Sequence, residues 1–266
     1  MEARIEGWVE GLSLEEKCGL VAGVDLWHTA AVPRLGIPAL RVTDGPNGAR
    51  GTRFRGGPTS ACFPCGAAQG ASFDPALVER VGAALAEETR SKGAGVLLAP
   101  TVNLQRTPIG GRDFECASED PFLAARMAVA FVRGVQGRGV GGCVKHFAGN
   151  DAEWERHRAS VEADERTLRE VILPPFEAAV REAGAWSVMA AYNRLGGVHC
   201  TEHPRLLTGI LRGEWGFDGA VISDWFATQS TAASLAAGMD LEMPGPPRHY
   251  GAKLAAAVRA GEVPEA

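Results

Sequence analysis

The sequence has 266 residues, a formal net charge of -5, 45% hydrophobic residues and 22% charged residues. This composition is that of an ordinary globular protein, and the balance of 27 Lys and Arg against 32 Asp and Glu excludes a basic face for nucleic acid. No stretch approaches the roughly 18 apolar residues that span a membrane, and the acidic N-terminus lacks the features of a secretory signal. We therefore predict a cytoplasmic chain, with secretion of a longer precursor left open.

Helix signals alternate with short apolar runs along the chain. Ser13 and Glu16 form a capping box that begins a first helix, and Asp74 and Asp120, each followed by proline, are caps that begin two more. Further helices are predicted over 164–184, interrupted by two prolines, and over 204–217, 227–238 and 252–261. The strands between them are predicted within 37–48, 93–104, 141–150, 186–193, 219–226 and 239–245.

Alternating strands and helices with near-continuous apolar strands predict a parallel sheet that is buried on both faces. The length fits an α/β fold of the (β/α) TIM-type barrel class, whether regular, irregular or incomplete. An open doubly wound sheet is the second choice, and the sequence carries no obvious dinucleotide-binding motif for it.

Polar residues gather where the predicted strands end, and in an α/β barrel this rim carries the active site. They are Asp44, Lys145, His146, Tyr192, Asn193, Asp224, Asp240 and Glu242. Carboxylates, basic groups and aromatic rings suit the hydroxyls and apolar faces of sugars. Asp224 directly follows a buried strand and precedes two aromatic residues, and we predict that its carboxylate lies in the cleft as a nucleophile.

Neither the cysteines nor the remaining histidines have the spacing of metal ligands. Only Cys62 and Cys65 are closely spaced, and one such pair is a weak zinc signal. We predict no metal, no cofactor, and buried or turn cysteines in a reducing compartment. The histidines without a ligand-like partner are His28, His199, His203 and His249.

Five segments in order resemble the signatures of glycoside hydrolase family 3, the β-glucosidase and β-xylosidase family. They are TDGPNGAR at 43–50, TPIGGRDFECASEDP at 107–121, KHFAGND at 145–151, ISDWFAT at 222–228 and, more weakly, MAAYNRLGG at 189–197. The resemblance implies a retaining β-glycosidase that removes a non-reducing-end sugar through a covalent glycosyl-enzyme on Asp224. The third segment lacks the second histidine of the family's β-N-acetylglucosaminidase branch, which favours the glucosidase and xylosidase branch.

The resemblance also implies the substrate-binding residues. Asp44, Arg112, Lys145, His146 and Arg156 would bind sugar hydroxyls. Tyr192 would lie close to Asp224, and Trp225 would line the leaving-group side.

Simpler interpretations of these residues stay open. Asp44 suits a turn, Arg112 could pair with Glu115 or Glu119, and His157 fits a solvated loop. Asp240 and Glu242 are assigned structural or rim roles.

The resemblance further implies that the acid/base residue comes from a C-terminal α/β sandwich domain. Residues 1–266 would be the N-terminal catalytic barrel domain without that sandwich domain, and the chain alone is expected to be impaired. Its predicted partners are a β-glycoside and the sandwich domain of the same enzyme. The competing hypotheses are a catalytically silent carbohydrate-binding barrel, a β-xylosidase, and an unrelated aldolase or isomerase barrel.

Overall fold

The computed structural model describes residues 2–53 and 55–265 of the chain. Its strands are β1 (Val42–Asp44), β2 (Val96–Leu98), β3 (Gly141–Phe147), β4 (Ser160–Val161), β5 (Ser187–Ala190), β6 (Arg194–Leu195), β7 (Val198–His199) and β8 (Ala220–Ser223). Five of them form a parallel sheet in the order β1-β2-β3-β5-β8, and β4, β6 and β7 form a small second sheet. The first sheet is the scaffold that positions the polar strand ends.

Helices connect these strands. They are α1 (Glu2–Gly11), α2 (Leu14–Leu20), α3 (Gly66–Gly70), α4 (Pro75–Ser91), α5 (Pro121–Gln136), α6 (Glu165–Thr167), α7 (Pro174–Arg181), α8 (Ala232–Ala236) and α9 (Ala252–Arg259), with helical turns of wider, i to i+5 hydrogen bonding at Leu168–Ile172 and Arg205–Glu214. Short 3₁₀ turns cover Pro33–Leu35, Asp113–Glu115 and Cys200–Glu202.

The parallel sheet is curled, and the pairing continues past β8. Isolated bridges join residue 241 to β8 and residue 242 to residue 22. Two antiparallel bridges then join residue 23 to 29 and residue 28 to 41, and residue 41 directly precedes β1. The pairing path therefore leads from β8 back to β1 through short, partly antiparallel contacts and not through regular βα units. This architecture confirms the predicted barrel class in its irregular form.

The strands of the parallel sheet are nearly continuous apolar runs in the sequence because both faces of the sheet are buried. All seven residues of β3, the central strand, are buried, because helices cover the outer face and side chains fill the inner one. The predicted caps are also found. Ser13 and Glu16 make the reciprocal bonds of a capping box, and Asp74 and Asp120 accept from backbone N–H groups at the starts of α4 and α5.

Two predicted elements are shorter than their sequence patterns. The strand at 239–245 is reduced to two isolated bridges, and it contains Pro244, which lacks a backbone donor. The helix at 227–238 is reduced to α8. The helix predicted over 164–184 is found as α6, the wide turn at Leu168–Ile172 and α7, with its interruption at the two prolines. In contrast, α1 precedes the first predicted helix, and none of its residues is buried.

No helix within residues 2–53 and 55–265 combines the length and apolar character that crossing a membrane requires.

Candidate active site

A cavity of about 490 Å³ opens at the carboxyl ends of the parallel strands. Every residue predicted for the site lines it, namely Asp44, Arg112, Lys145, His146, Arg156, Tyr192, Asp224 and Trp225. Asp44 ends β1, Lys145 and His146 lie in β3, and the others come from the loops after β2, β5 and β8 and from the loop before β4. The sheet therefore brings together side chains that lie up to 181 positions apart, from Asp44 to Trp225.

Asp224 is fixed by the backbone at the end of β8. Its N–H donates to the carbonyl of Ala190, and its Oδ1 accepts from the N–H of Trp225 at 2.7 Å. Oδ2 is buried and accepts no hydrogen bond of regular geometry from the described residues. Burial raises the pKa of this carboxyl group above its usual range, against the opposing influence of nearby Lys145. The backbone thus holds Oδ1, and the Tyr192 hydroxyl also donates to this carboxyl group.

An irregularity in β3 directs two consecutive side chains into the cavity. In a regular strand, neighbours point to opposite faces, but the pairing of β3 with β5 shifts register between Val144 and Phe147. Lys145 and His146 both line the cavity as a result. This bulge explains how an adjacent lysine and histidine can serve one site.

Lys145 forms an ion pair with Asp44 inside the cavity. Its Nζ donates to Oδ1 of Asp44 at 2.6 Å, and its side chain is only 4% exposed. Burial of Asp44 opposes its ionisation, but Lys145 and Arg50 outweigh that effect and hold the pKa of Asp44 below its usual range. Asp44 is therefore a permanent anion at neutral pH.

The turn after β1 aims Asp44 into the cavity. Gly45 adopts φ of +127°, and a Cβ there would lie 2.0 Å from the carbonyl oxygen of Gly48. Only glycine fits this close approach. Asp44 is thus both a turn residue, as its local sequence indicates, and a cavity residue.

Two glutamates hold the cavity arginines in place. Glu115 accepts from Arg112 at 2.9 Å and from Thr101 at 3.0 Å, while Glu153 accepts from Arg156 at 2.5 Å and lies 3.7 Å from Arg112. Arg112 therefore makes the predicted ion pair with Glu115 and lines the cavity at the same time.

Tyr192 is covered by the loop before β4. The Arg156 guanidinium lies 4.3 Å from the centre of the tyrosine ring, and the His157 ring lies 4.4 Å from it. His157 is an exposed loop residue, as predicted, but it also lines the cavity. Burial and the charge of Asp224 raise the pKa of the Tyr192 hydroxyl, so it remains protonated and able to donate.

Aromatic residues form the remaining wall. The rings of Trp225 and Trp27 lie 5.6 Å apart, and Trp225 Nε1 donates to the carbonyl of Leu26 at 3.1 Å. Trp27, Arg50, Glu115 and Phe226 line the cavity and were not predicted as site residues. Arg50 and Glu115 stand inside the quoted motifs, which is the signal that could have identified them.

Three strand-end residues do not line the cavity. Asp240 accepts from Arg212 and from the N–H of Val221, near the start of β8 and away from Asp224. Glu242 accepts from the N–H groups of residues 248, 249 and 250. Asn193 donates to the carbonyl of Ala148. All three have structural roles because each satisfies backbone groups.

The described residues contain no cluster of potential metal ligands. No group of three or more His, Cys, Asp or Glu side chains among them is arranged to hold a metal ion. The six cysteines are free thiols. Cys18, Cys116, Cys143 and Cys200 are buried, Cys62 is exposed, and Cys65 is intermediate.

Known proteins resemble this chain closely in sequence and structure. A beta-glucosidase from Rhizobium radiobacter is 55% identical over 260 residues, which cover 97% of this chain and 32% of that protein. The crystal structure of Beta-glucosidase from Kluyveromyces marxianus in complex with glucose superposes with a TM-score of 0.95 and 46% identity, over 97% of this chain and 31% of that one. Beta-glucosidase 3B from Thermotoga neapolitana in complex with glucose gives a TM-score of 0.93 and 40% identity, over 98% and 40% of the two chains.

The chain spans about a third of the length of these curated relatives. Residues 9–266 match the family model described as the glycosyl hydrolase family 3 N terminal domain. Because that match covers nearly every residue, the chain belongs to glycosyl hydrolase family 3.

Proposed function

We propose that this chain is the barrel domain of a retaining, exo-acting β-glucosidase, with Asp224 as the nucleophile. The observation that carries the proposal is the buried Oδ2 of Asp224, which faces a cavity of charged and hydroxyl-binding groups and accepts no hydrogen bond of regular geometry from the described residues. Unpartnered buried oxygens are costly to keep, so their presence at a strand end in a cleft points to function.

The cavity is suited to a single sugar ring. Asp44, Lys145, Arg112 and Arg156 offer charge-assisted hydrogen bonds to several hydroxyls at once. Trp225 and Trp27 offer an apolar wall against which a ring face or an aglycone can pack. This combination supports removal of one non-reducing-end sugar. The glucose complexes named for two structural neighbours favour glucose over a pentose.

The proposed reaction has two balanced steps. In the first, Oδ2 of Asp224 forms a bond to the anomeric carbon while the bond from that carbon to the leaving oxygen breaks, and a general acid protonates that oxygen. In the second step, the group that acted as the general acid accepts a proton from water, and the water oxygen bonds to the anomeric carbon. The bond between that carbon and Oδ2 of Asp224 breaks, and Asp224 departs as a carboxylate.

The acid/base group is proposed to come from a further domain. Besides Asp224, two carboxyl groups line the cavity, those of Asp44 and Glu115. Asp44 is bound to Lys145, and Glu115 accepts from Arg112 and Thr101, so both serve as hydrogen-bond acceptors and neither is suited to protonate a leaving group. In accordance with the family resemblance, we propose that the acid/base comes from a C-terminal α/β sandwich domain of the full-length enzyme. The barrel alone would be severely impaired on glycosides whose leaving groups need protonation.

Covalent trapping tests this proposal. The full-length protein is incubated with an activated 2-deoxy-2-fluoro-β-glucoside, and peptide mass spectrometry locates the added sugar. We expect the label on Asp224, loss of the label in Asp224→Asn, and retention of it in Asp240→Asn, a control near the opposite end of β8. An unlabelled but glucose-binding protein would instead support a silent carbohydrate-binding barrel, and preferential labelling by the xyloside would indicate a β-xylosidase.

A further inference from the structure

Asn103 makes an unusual set of contacts beneath the cavity. It lies five residues after β2 and is 2% exposed. Its Oδ1 accepts from the backbone N–H of His146 at 2.8 Å, and its Nδ2 donates to the backbone carbonyl of His146 at 3.1 Å. A backbone N–H can only donate and a carbonyl can only accept, so these two bonds fix which end of the amide is oxygen.

The same amide oxygen faces the imidazole ring. Oδ1 of Asn103 lies 3.1 Å from Nδ1 of His146. Because this oxygen can only accept, Nδ1 has to carry the proton that is shared between them. The amide is held from its other side as well, since Asp151 accepts from the Asn103 side chain and from the N–H of Leu104 at 3.2 Å.

The second ring nitrogen points at the proposed nucleophile. Nε2 of His146 lies 3.5 Å from Oδ2 of Asp224. Burial, together with the cations Arg112, Lys145 and Arg156, holds the pKa of His146 well below its usual range. A neutral ring that is protonated on Nδ1 has a lone pair on Nε2, which accounts for the absence of a hydrogen bond to Asp224.

We propose that Asn103 is a positioning residue that holds His146 as the Nδ1–H tautomer, so that Nε2 accepts a hydrogen bond from a sugar hydroxyl and does not donate to Asp224. In the other tautomer, the Nε2–H would donate to Oδ2 and occupy a lone pair that is needed for attack on the anomeric carbon. The part concerning the sugar hydroxyl rests on the proposed function, whereas the tautomer itself does not.

Neutron diffraction from crystals of the full-length, deuterium-exchanged protein tests the tautomer directly, without any variant. We expect deuterium on Nδ1 of His146 and none on Nε2. Deuterium on Nε2 alone would overturn the proposal, and so would deuterium on both nitrogens at neutral pH. If the tautomer is as expected but Asp224 is not labelled by the fluoroglucoside, then the glycosidase proposal fails and the tautomer assignment stands.

A variant tests the consequence for catalysis. Asn103→Asp keeps an acceptor beside Nδ1 but replaces the amide with a carboxylate, which favours the imidazolium with a proton on Nε2. The charged groups around the ring are otherwise unchanged, namely Arg112, Lys145, Arg156, Asp151 and Asp224. We expect kcat/KM to fall roughly tenfold or more at about pH 6 and to recover as pH rises, because an imidazolium bonded to Asp224 is lost on deprotonation.

Asn193→Asp is the matched control, since Asn193 is a buried amide with a backbone partner and no contact to His146. The acid limb of its profile of kcat/KM against pH should lie at the same pH as in the unmodified protein. A uniform loss of activity in Asn103→Asp at every pH, with no displaced acid limb, would contradict the positioning role.

Discussion

Lys145 donates a 2.6 Å hydrogen bond to Asp44 across the end of β2, which separates their strands in the sheet. The pair joins residues 101 positions apart, and both side chains face the proposed sugar. We predict that Lys145→Met lowers kcat/KM by about a hundredfold or more and the free energy of unfolding by about 1–3 kcal/mol, since it leaves Asp44 with only the more distant cation of Arg50. Steady-state kinetics and denaturant unfolding of the full-length protein measure both effects. Lys92→Met is the control, because Lys92 is equally shielded but pairs with Glu88 on α4, away from the cavity.

The pKa of Asp224 predicts the acid limb of the pH profile. Attack requires an ionised carboxylate, and burial raises the pKa of this group, so the midpoint of kcat/KM should lie above the value of about 4 of an ordinary aspartate. Lys145 opposes that rise. In Lys145→Met the limb should therefore move to still higher pH, and an unmoved limb would show that another group controls it.

Replacing Asp224 should stabilise the protein while abolishing turnover. A carboxyl group with a raised pKa in the folded state contributes stability that is fully present below its ordinary pKa and is lost as pH rises through the raised pKa. At neutral pH the buried charge of Asp224 is thus destabilising. We expect Asp224→Asn to raise Tm at neutral pH, by a margin that shrinks in acid, and to lower kcat about a thousandfold or more.

Calorimetry over a pH series measures that margin. Asp74→Asn, which exchanges one good helix cap for another at the start of α4, should leave Tm nearly unchanged. A fall in Tm for Asp224→Asn at neutral pH would mean that its hydrogen bond to Trp225 outweighs the cost of burial.

Glu153 should control substrate binding through the arginines. Its carboxylate accepts from Arg156 and lies 3.7 Å from Arg112. We predict that Glu153→Gln raises KM about tenfold with a smaller effect on kcat, because both guanidinium groups lose a charged partner and become less ordered. Glu155→Gln, two positions along the same loop, should change neither parameter because its nearest cation, Arg158, is 4.0 Å away and largely exposed. Equal effects of the two variants would argue against this role.

The residues at strand ends could be predicted from the sequence because the signal is local. Asp44, Lys145 and Asp224 each stand at or near the end of a short, mostly apolar stretch that forms a parallel strand. The barrel class then places such strand ends on one rim. The caps of α4 and α5 were predictable for the same reason, since a cap and its partner lie within three residues.

Other parts of the site depend on contacts that no periodicity records. Trp27 enters the wall because its segment pairs antiparallel with the residues before β1. Asn103 meets His146 across 43 positions. Asp240 is predicted at the rim, but it stands at the start of the segment 239–245. Because this segment runs parallel to β8 with Leu241 opposite Ile222, Asp240 lies beside the start of β8.

The register shift in β3 has a consequence for engineering this site. Because Lys145 and His146 both reach the cavity where the register of β3 shifts, their two positions form a single geometric unit. A redesign that regularised the strand, or a library that inserted or deleted one residue within it, would turn one of the two side chains toward the helices. Variation in sugar preference should therefore be sought on the loop walls, around residues 112 and 156, where side chains can be exchanged without altering the ladder.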